Sequence, residues 1–194
     1  MNLELIRTNS LDGYVFEDMK QQFPPEEMKT FDEINYMLAG GSYALDLLKK
    51  DEDIAGYVLY YKSDFLWIDY VAILRKFQSC GLGSKVLDLF FEKYKDLRGC
   101  YFEVEKENSA DINTVRRVNF YKKNGCELLD FKYYFPNEIK KLEMSLFYKS
   151  LSCEIPDTQQ ILADVNEVFL YLHSKIPSCK ETFELITEEN LRIN

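Results

Sequence analysis

The run SYALDLLKKDEDIAGYVLYYKSDFLWIDYVAIL, Ser42 to Leu74, constrains the fold most. Three apolar segments, Ser42 to Leu48, Ile54 to Tyr61 and Phe65 to Ile73, are separated by the short charged turns Lys49 to Asp53 and Lys62 to Asp64. Connections this short predict antiparallel hairpins, because a parallel crossover needs a much longer link. The third segment is apolar on both faces except at Asp69, the pattern of a central strand. A glycine-spaced loop follows, Gln78-Ser79-Cys80-Gly81-Leu82-Gly83, and then a helix with Val86, Leu87, Leu89, Phe90 and Tyr94 on one broad face.

The rest of the chain fits around this centre. Ser10 to Gln22 predicts a helix capped by Asp12 or Ser10. Pro24-Pro25-Glu26-Glu27 starts another, with Met28, Phe31, Ile34, Met37 and Leu38 at helical spacing and Gly40-Gly41 as its end. Cys100 to Glu105 alternates, with Cys100, Phe102 and Val104 on one face and Tyr101, Glu103 and Glu105 on the other. Asn113 to Asn124 predicts a helix ended by Gly125. Two strand-like runs, Glu127 to Phe135 and Lys141 to Tyr148, are parted by Pro136-Asn137-Glu138. Beyond Leu151 a helix runs from Pro156-Asp157-Thr158 to Ile176, and a short one follows Ser178. The expected fold class is α/β (α+β): a central mixed, mostly antiparallel sheet of about six to seven strands flanked by helices. A domain over 1–150 carries a helical extension over 151–194, which packs on it or forms a homodimer interface.

Composition excludes several functions. The 33 acids exceed the 24 bases, giving a net charge of -9, which argues against nucleic acid as a partner. No apolar run is long enough for a bilayer, and the N-terminus lacks a signal-peptide core, so a cytoplasmic protein without a membrane role is expected. Five irregularly spaced cysteines without a C-x-x-C pair suggest reduced thiols. A single histidine, His173, excludes multi-histidine metal sites, and no metal is expected. His173 itself reads as a surface or satisfied helix residue.

A loop between a strand and a helix aims its N–H groups along the helix dipole and can hold an anion. Gly81 and Gly83 remove side chains that would keep a pyrophosphate away. There is no G-x-x-x-x-G-K-[ST], and Val86 stands where a dinucleotide fold would place its third glycine. Taken alone, the loop either holds a phosphate or only turns a corner.

Context adds a resemblance. Gln78-Ser79-Cys80-Gly81-Leu82-Gly83 resembles the acetyl-coenzyme A signature [RQ]-x-x-G-x-[GA] of the GNAT N-acetyltransferases, and NFYKKNGCELL, Asn119 to Leu129, is similar to that family's F-Y-x-x-x-G-F segment. Cys126 departs from the usual aromatic after Gly125. The element order matches over roughly residues 1–150. The resemblance implies the GNAT acyl-CoA N-acyltransferase fold and acetyl-CoA as cosubstrate. It places the pyrophosphate on Gln78, Ser79, Cys80, Gly81, Leu82, Gly83 and Ser84, with Asn119 as a further cofactor contact. The pantetheine arm would lie along Asp69 to Ile73, paired with main-chain groups of Val71 and Ile73, while Arg75, Lys76 and Lys85 attract outer phosphates.

The implied reaction transfers acetyl from acetyl-CoA to a primary amine of a small molecule or peptide by direct attack in a ternary complex. Tyr121 matches the tyrosine that protonates the leaving thiolate in many members. Asp69, a lone acid in an apolar strand, is the first candidate base, and its alternative is a carboxylate paired with a lysine or a tyrosine hydroxyl. Glu103 and Glu105 are runners-up, and ordered water alone could serve. Cys80 reads as a spectator. The acceptor wall would come from Phe23 to Gly41 and Lys132 to Lys141, with Phe31, Tyr36, Tyr133, Tyr134 and Phe135 as aromatics and Glu26 and Glu27 as acids, or these are plain core and helix-start residues. The alternative function is a non-catalytic coenzyme A or acyl-CoA-binding sensor or interaction module.

Overall fold

Turn chemistry and period-two alternation produce an antiparallel meander in the first half of the chain. The computed structural model describes residues 2–137 and 142–191. Among these are eight strands and six α-helices in a mixed α/β fold whose described pairings are antiparallel. The chain forms two compact units, Met1–Leu97 and Arg98–Asn194.

The first unit holds β1 (Leu3–Thr8), α1 (Gly13–Gln22), α2 (Phe31–Ala39), β2 (Tyr43–Lys50), β3 (Asp53–Lys62), β4 (Leu66–Ile73) and α3 (Leu82–Lys93). The three expected strands appear as β2, β3 and β4 in consecutive antiparallel register. Strand β1 was not expected; it pairs with β2 at the edge, and none of its residues is fully buried, so its alternation is weak. Asp12 caps α1 by accepting from the Tyr14 N–H at 2.7 Å. The helix expected from Pro25 is interrupted. Pro25–Glu27 form only a 3-10 turn, and α2 starts after Thr30, whose hydroxyl accepts from the Glu33 N–H while the Glu33 carboxylate accepts from Thr30. That reciprocal capping box fixes the start and leaves Met28 and Lys29 outside the helix.

A buried carboxylate ties this unit together. Asp46 in β2 is fully buried. Its oxygens accept from Arg7 Nε of β1 (2.9 Å), Lys93 Nζ at the end of α3 (2.9 Å), Tyr60 of β3 (3.0 Å) and Tyr94 (2.9 Å). Tyr60 also packs edge-on against Phe90, with ring centroids 4.8 Å apart.

The second unit holds β5 (Gly99–Glu105), α4 (Ile112–Lys123), β6 (Glu127–Leu128), β7 (Tyr133–Phe135), β8 (Leu142–Ser150), α5 (Thr158–Val168) and α6 (Cys179–Leu191). Strand β8 pairs with β5 along its length and with both β6 and β7. The run expected as one strand, Glu127 to Phe135, is therefore split. Leu128 faces Phe147 and Tyr133 faces Met144, and although the Leu129 N–H still donates to the Leu146 carbonyl at 3.0 Å, Asp130 to Lys132 bulge out of register. The Asn190 side chain of α6 compensates: its oxygen accepts from the Lys132 N–H at 2.9 Å and its amide donates to the Lys132 carbonyl at 2.8 Å. Of the turn expected after β7, Glu138 lies outside the described residues, as does Lys141 of the expected last strand.

Strand β5 departs from simple alternation, because Tyr101 is as buried as Cys100 and Phe102. Its hydroxyl donates to Asp164 of α5 at 2.7 Å, and Arg98 grips the same carboxylate through both terminal nitrogens at 2.9 and 3.2 Å. The tail helix thus buries Tyr101 on the face it was expected to share with Glu103 and Glu105. Between α5 and α6 the chain makes a π-helical turn, Phe169–His173. His173 is buried there, edge-on to Phe135 and Phe169, and α6 runs longer than the short helix expected.

Four buried phenols give the molecule an alkaline limit. Burial raises Tyr57, Tyr60, Tyr101 and Tyr121 well above the usual 10.0, and the charges of Asp18, Asp46 and Asp164 add to it for the first three. Above the ordinary tyrosine pKa the unfolded chain loses protons that the folded chain keeps, so stability falls as pH rises. The buried thiols of Cys100 and Cys126 are raised in the same way, so urea unfolding should show stability falling from about pH 9 and more steeply above pH 10, by up to ~1.4 kcal/mol per pH unit for each such group.

Candidate functional site

The approach to α3 is built from conformations that most residues avoid. Strand β4 ends at Ile73, a 3-10 turn spans Arg75–Phe77, and the chain then takes positive φ at Ser79 (+62°) and Gly81 (+73°). A left-handed non-glycine residue such as Ser79 costs about 1–3 kcal/mol and is held only by its surroundings. Gly81 is the N-cap of the 12-residue α3 and brings no side chain to cap it. The first-turn N–H groups therefore have no capping side chain, and a Cβ placed on Gly81 would meet nothing within 4 Å. Gln78, Ser79, Cys80 and Gly81 are exposed, Gly83 and Ser84 partly so, and Leu82 turns into the core. This combination of uncapped amides, a positive dipole end and open space suits an anionic phosphate group.

The loop is tethered to α1. Asp18 accepts from the Arg75 N–H at 3.2 Å and from the Gln22 side chain. Gln22 donates to the Ile73 carbonyl at 3.1 Å, and Gln78 donates to that carbonyl at 3.2 Å and to Gln22 at 2.9 Å. The Gln78 side chain thus faces α1, and the Ile73 oxygen, expected to meet pantetheine, already accepts two amides. Val71 is paired opposite Val58 and is partly exposed. Arg75 donates to Gln21 at 2.7 Å. Lys76 and Lys85 make exposed ion pairs with Asp53 and Asp88, of the kind worth about 0–1 kcal/mol, and Lys76 Nζ also lies 4.7 Å from the centre of the Phe77 ring.

Asp69 sits where the β3–β4 register shifts: Tyr70 opposes Leu59 and Ile68 opposes Tyr60, so Asp69 is the extra residue of a bulge. Its side chain is nearly buried. Both oxygens accept from Lys29 Nζ at 2.9 Å, and Tyr43 donates a further bond. To act as a base, Asp69 would have to give up one of these partners. The runners-up are also engaged, Glu103 by Tyr133 and Glu105 by Arg117.

In the second unit Tyr121 lies on α4 with its ring 4.9 Å from Phe102 and 5.9 Å from Phe147. Its hydroxyl makes no hydrogen bond among the described residues, and burial raises its pKa, which keeps the proton on. Asn119, two residues earlier, is exposed. Of the expected acceptor wall, Phe31 packs edge-on against Phe16, and Tyr36 is largely open to solvent at 78%. Tyr133 and Phe135 pack against Phe169 and His173, while Tyr134 reaches Glu189 at 3.4 Å. Residues 138–141 and the Glu26 side chain lie outside the described residues. Lys29, Tyr43 and Gln22 were missed in the sequence, where nothing in their local pattern connects them to Asp69 or to the loop. Among the described residues no cluster of His, Cys, Asp and Glu could hold a metal ion, and no helix is long and apolar enough to cross a membrane.

The sequence profile of the Acetyltransferase (GNAT) family matches residues 12–125. No curated protein sequence matches the chain. Several solved structures share the fold. An acetyltransferase of the GNAT family from Bacteroides thetaiotaomicron superposes with a TM-score of 0.72 at 21% identity, over 89% of this chain and 97% of that one. The ribosomal-protein-S18-alanine N-acetyltransferase of Escherichia coli gives 0.59 at 15% identity, over 80% and 97%. The spermidine N-acetyltransferase of Vibrio cholerae, in complex with CoA and spermine, gives 0.57 at 13% identity, over 77% and 96%.

The cysteines offer a direct probe of the loop. Cys80 and Cys153 are exposed, Cys179 is half-buried with its thiol raised by burial, Cys100 is raised well above the normal range, and Cys126 is pushed up to about 12. Brief alkylation followed by mass spectrometry should label Cys80 and Cys153 first, and Cys100 and Cys126 only in denaturant. Inorganic pyrophosphate should slow labelling of Cys80 and leave Cys153 unaffected.

Proposed function

Because the chain belongs to the GNAT acetyltransferase family, we propose that it transfers the acetyl group of acetyl-CoA to a primary amine of a small molecule or peptide, in a ternary complex. The observation that carries this reading is the left-handed, uncapped glycine N-terminus of α3, with open space at Gly81. Five free cysteines fit work in the reducing cytoplasm.

When bound, acetyl-CoA supplies a thioester whose acetyl carbon accepts the amine lone pair, so that a C–N bond forms and the C–S bond breaks. The loop from Gln78 to Ser84 holds the pyrophosphate through main-chain N–H groups, with the α3 dipole behind them. Val71 offers main-chain groups to the pantetheine arm. Ile73 does so once Gln22 or Gln78 releases its carbonyl. The entering ammonium gives one proton to solvent before it attacks. The second goes to the leaving sulfur through Tyr121, whose burial keeps it protonated across the working range. Asp69 binds charge in its present pairing, and solvent carries protons away from the amine.

Two variants test this. Gly81→Val forces a branched residue to φ +73°. It should cost about 1–2 kcal/mol of stability and raise the KM for acetyl-CoA at least ~tenfold. Unchanged coenzyme affinity would reduce the loop to a corner. Tyr121→Phe should lower kcat by about tenfold to several hundredfold with KM little changed. Coenzyme binding with no transfer to any amine would favour a sensor instead.

A further inference from the structure

The carboxylates of Asp46, Asp69 and Asp164 are buried or nearly so, and they are neutralised in different ways. The cations for Asp46 come from strand β1 and from the end of α3, and the cation for Asp164 comes from Arg98, next to β5. Arg7 and Lys93 sit within regular structure, and Arg98 directly precedes β5. Asp69 takes its cation from Lys29, which lies between the 3-10 turn and the capping box and belongs to neither.

The corner that receives Lys29 has the features of an ammonium site. The two Asp69 oxygens lie 2.9 Å from Nζ, Tyr43 donates to one of them, and the face of Tyr70 lies beneath, 5.4 Å from Nζ. Carboxylate and aromatic face together are the ordinary recognition of a primary ammonium. Tyr43 and Tyr70 are both buried, so the corner is built before any ligand arrives. The Lys29 segment is closed over it by two bonds, from the Lys29 N–H to the Tyr70 hydroxyl (3.0 Å) and from that hydroxyl to the Glu27 carbonyl (2.6 Å).

We propose that Lys29 is an internal stand-in for the acceptor, and that the Asp69–Tyr43–Tyr70 corner binds the primary ammonium of an unbranched alkylamine, which enters by displacing Lys29. The unbranched class follows from the occupant: a lysine stem is a straight four-carbon chain ending in the ammonium. This rests on the transfer reading above. The Lys29 segment acts as a competitive plug that holds the acceptor KM high.

Chemical rescue tests it. Lys29→Ala should melt below wild type, and n-butylammonium at a hundred times its Kd should raise the variant's melting temperature by about 5–11 °C, whereas tert-butylammonium should not. With acetyl-CoA present, Lys29→Ala should acetylate n-butylamine with a KM at least ~tenfold below wild type, and adding Asp69→Asn should abolish that gain. Lys29→Met, which keeps the apolar stem, should show the same drop in KM and serves where the alanine variant does not fold. An acceptor KM unchanged or raised in Lys29→Met overturns the proposal. So does rescued melting with no N-acetylbutylamine formed by a variant that still acetylates other amines, which would leave the pair as a structural ion pair only. Failure of the transfer reading looks different: wild type would acetylate no amine at all, whether or not it binds acetyl-CoA in calorimetry.

Discussion

Asp46 is the charge around which the first unit is organised. A carboxylate with no solvent contact is tolerated only where cations and hydrogen-bond donors meet it, and removing one partner of a buried pair typically costs about 3–5 kcal/mol. Here Arg7, Tyr60, Lys93 and Tyr94 all meet it. These residues come from β1, from β3 and from the C-terminal end of α3, so one charge holds an edge strand, a central strand and a helix in fixed relation. A rigid helix fixed at one end has its other end placed too. The uncapped amides at Gly81 are thus positioned partly by contacts a full helix length away.

The same economy shapes the other half. Asp164 draws Arg98, Tyr101 and Gln160 together and seats α5 on β5. Both carboxylates are overdetermined, each meeting cation and phenol at once. Asp69 has the same chemistry with one weaker link, a cation carried on an irregular segment. A buried charge whose partner can leave is suited to exchange, where one held by several fixed partners is suited only to hold.

How much of this was legible depends on the range of the interactions. The three hairpin strands, the glycine loop and the α3 face are written in local spacing, and they appear where the pattern places them. The helix expected from Pro25 failed on local grounds as well, because Thr30 and Glu33 form a capping box that the proline signal obscured. Other features depend on partners far along the chain. Strand β1 is recognisable only by its pairing with β2, and Tyr101 looks outward until α5 supplies Asp164. Asp69 stood out as a lone acid in an apolar strand, but so does Asp46 in YALDLL, and no local feature tells the two apart. Their partners lie 40 and 39 residues away. The Gly81 loop could be read because strand, turn and helix are contiguous, whereas its tether to Asp18 and Gln22 could not.

Asn190 carries a further consequence. Its amide presents to Lys132 the donor and acceptor that a neighbouring strand would otherwise offer, at the place where β6 and β7 part. One side chain near the end of α6 therefore works as a guard on main-chain groups that would otherwise be open to another chain. Without it, the Lys132 N–H and carbonyl lose these partners, and a buried main-chain group left without one costs about 1–3 kcal/mol. The terminal helix thereby closes the break between β6 and β7 with a single side-chain amide, a role independent of any chemistry at the glycine loop.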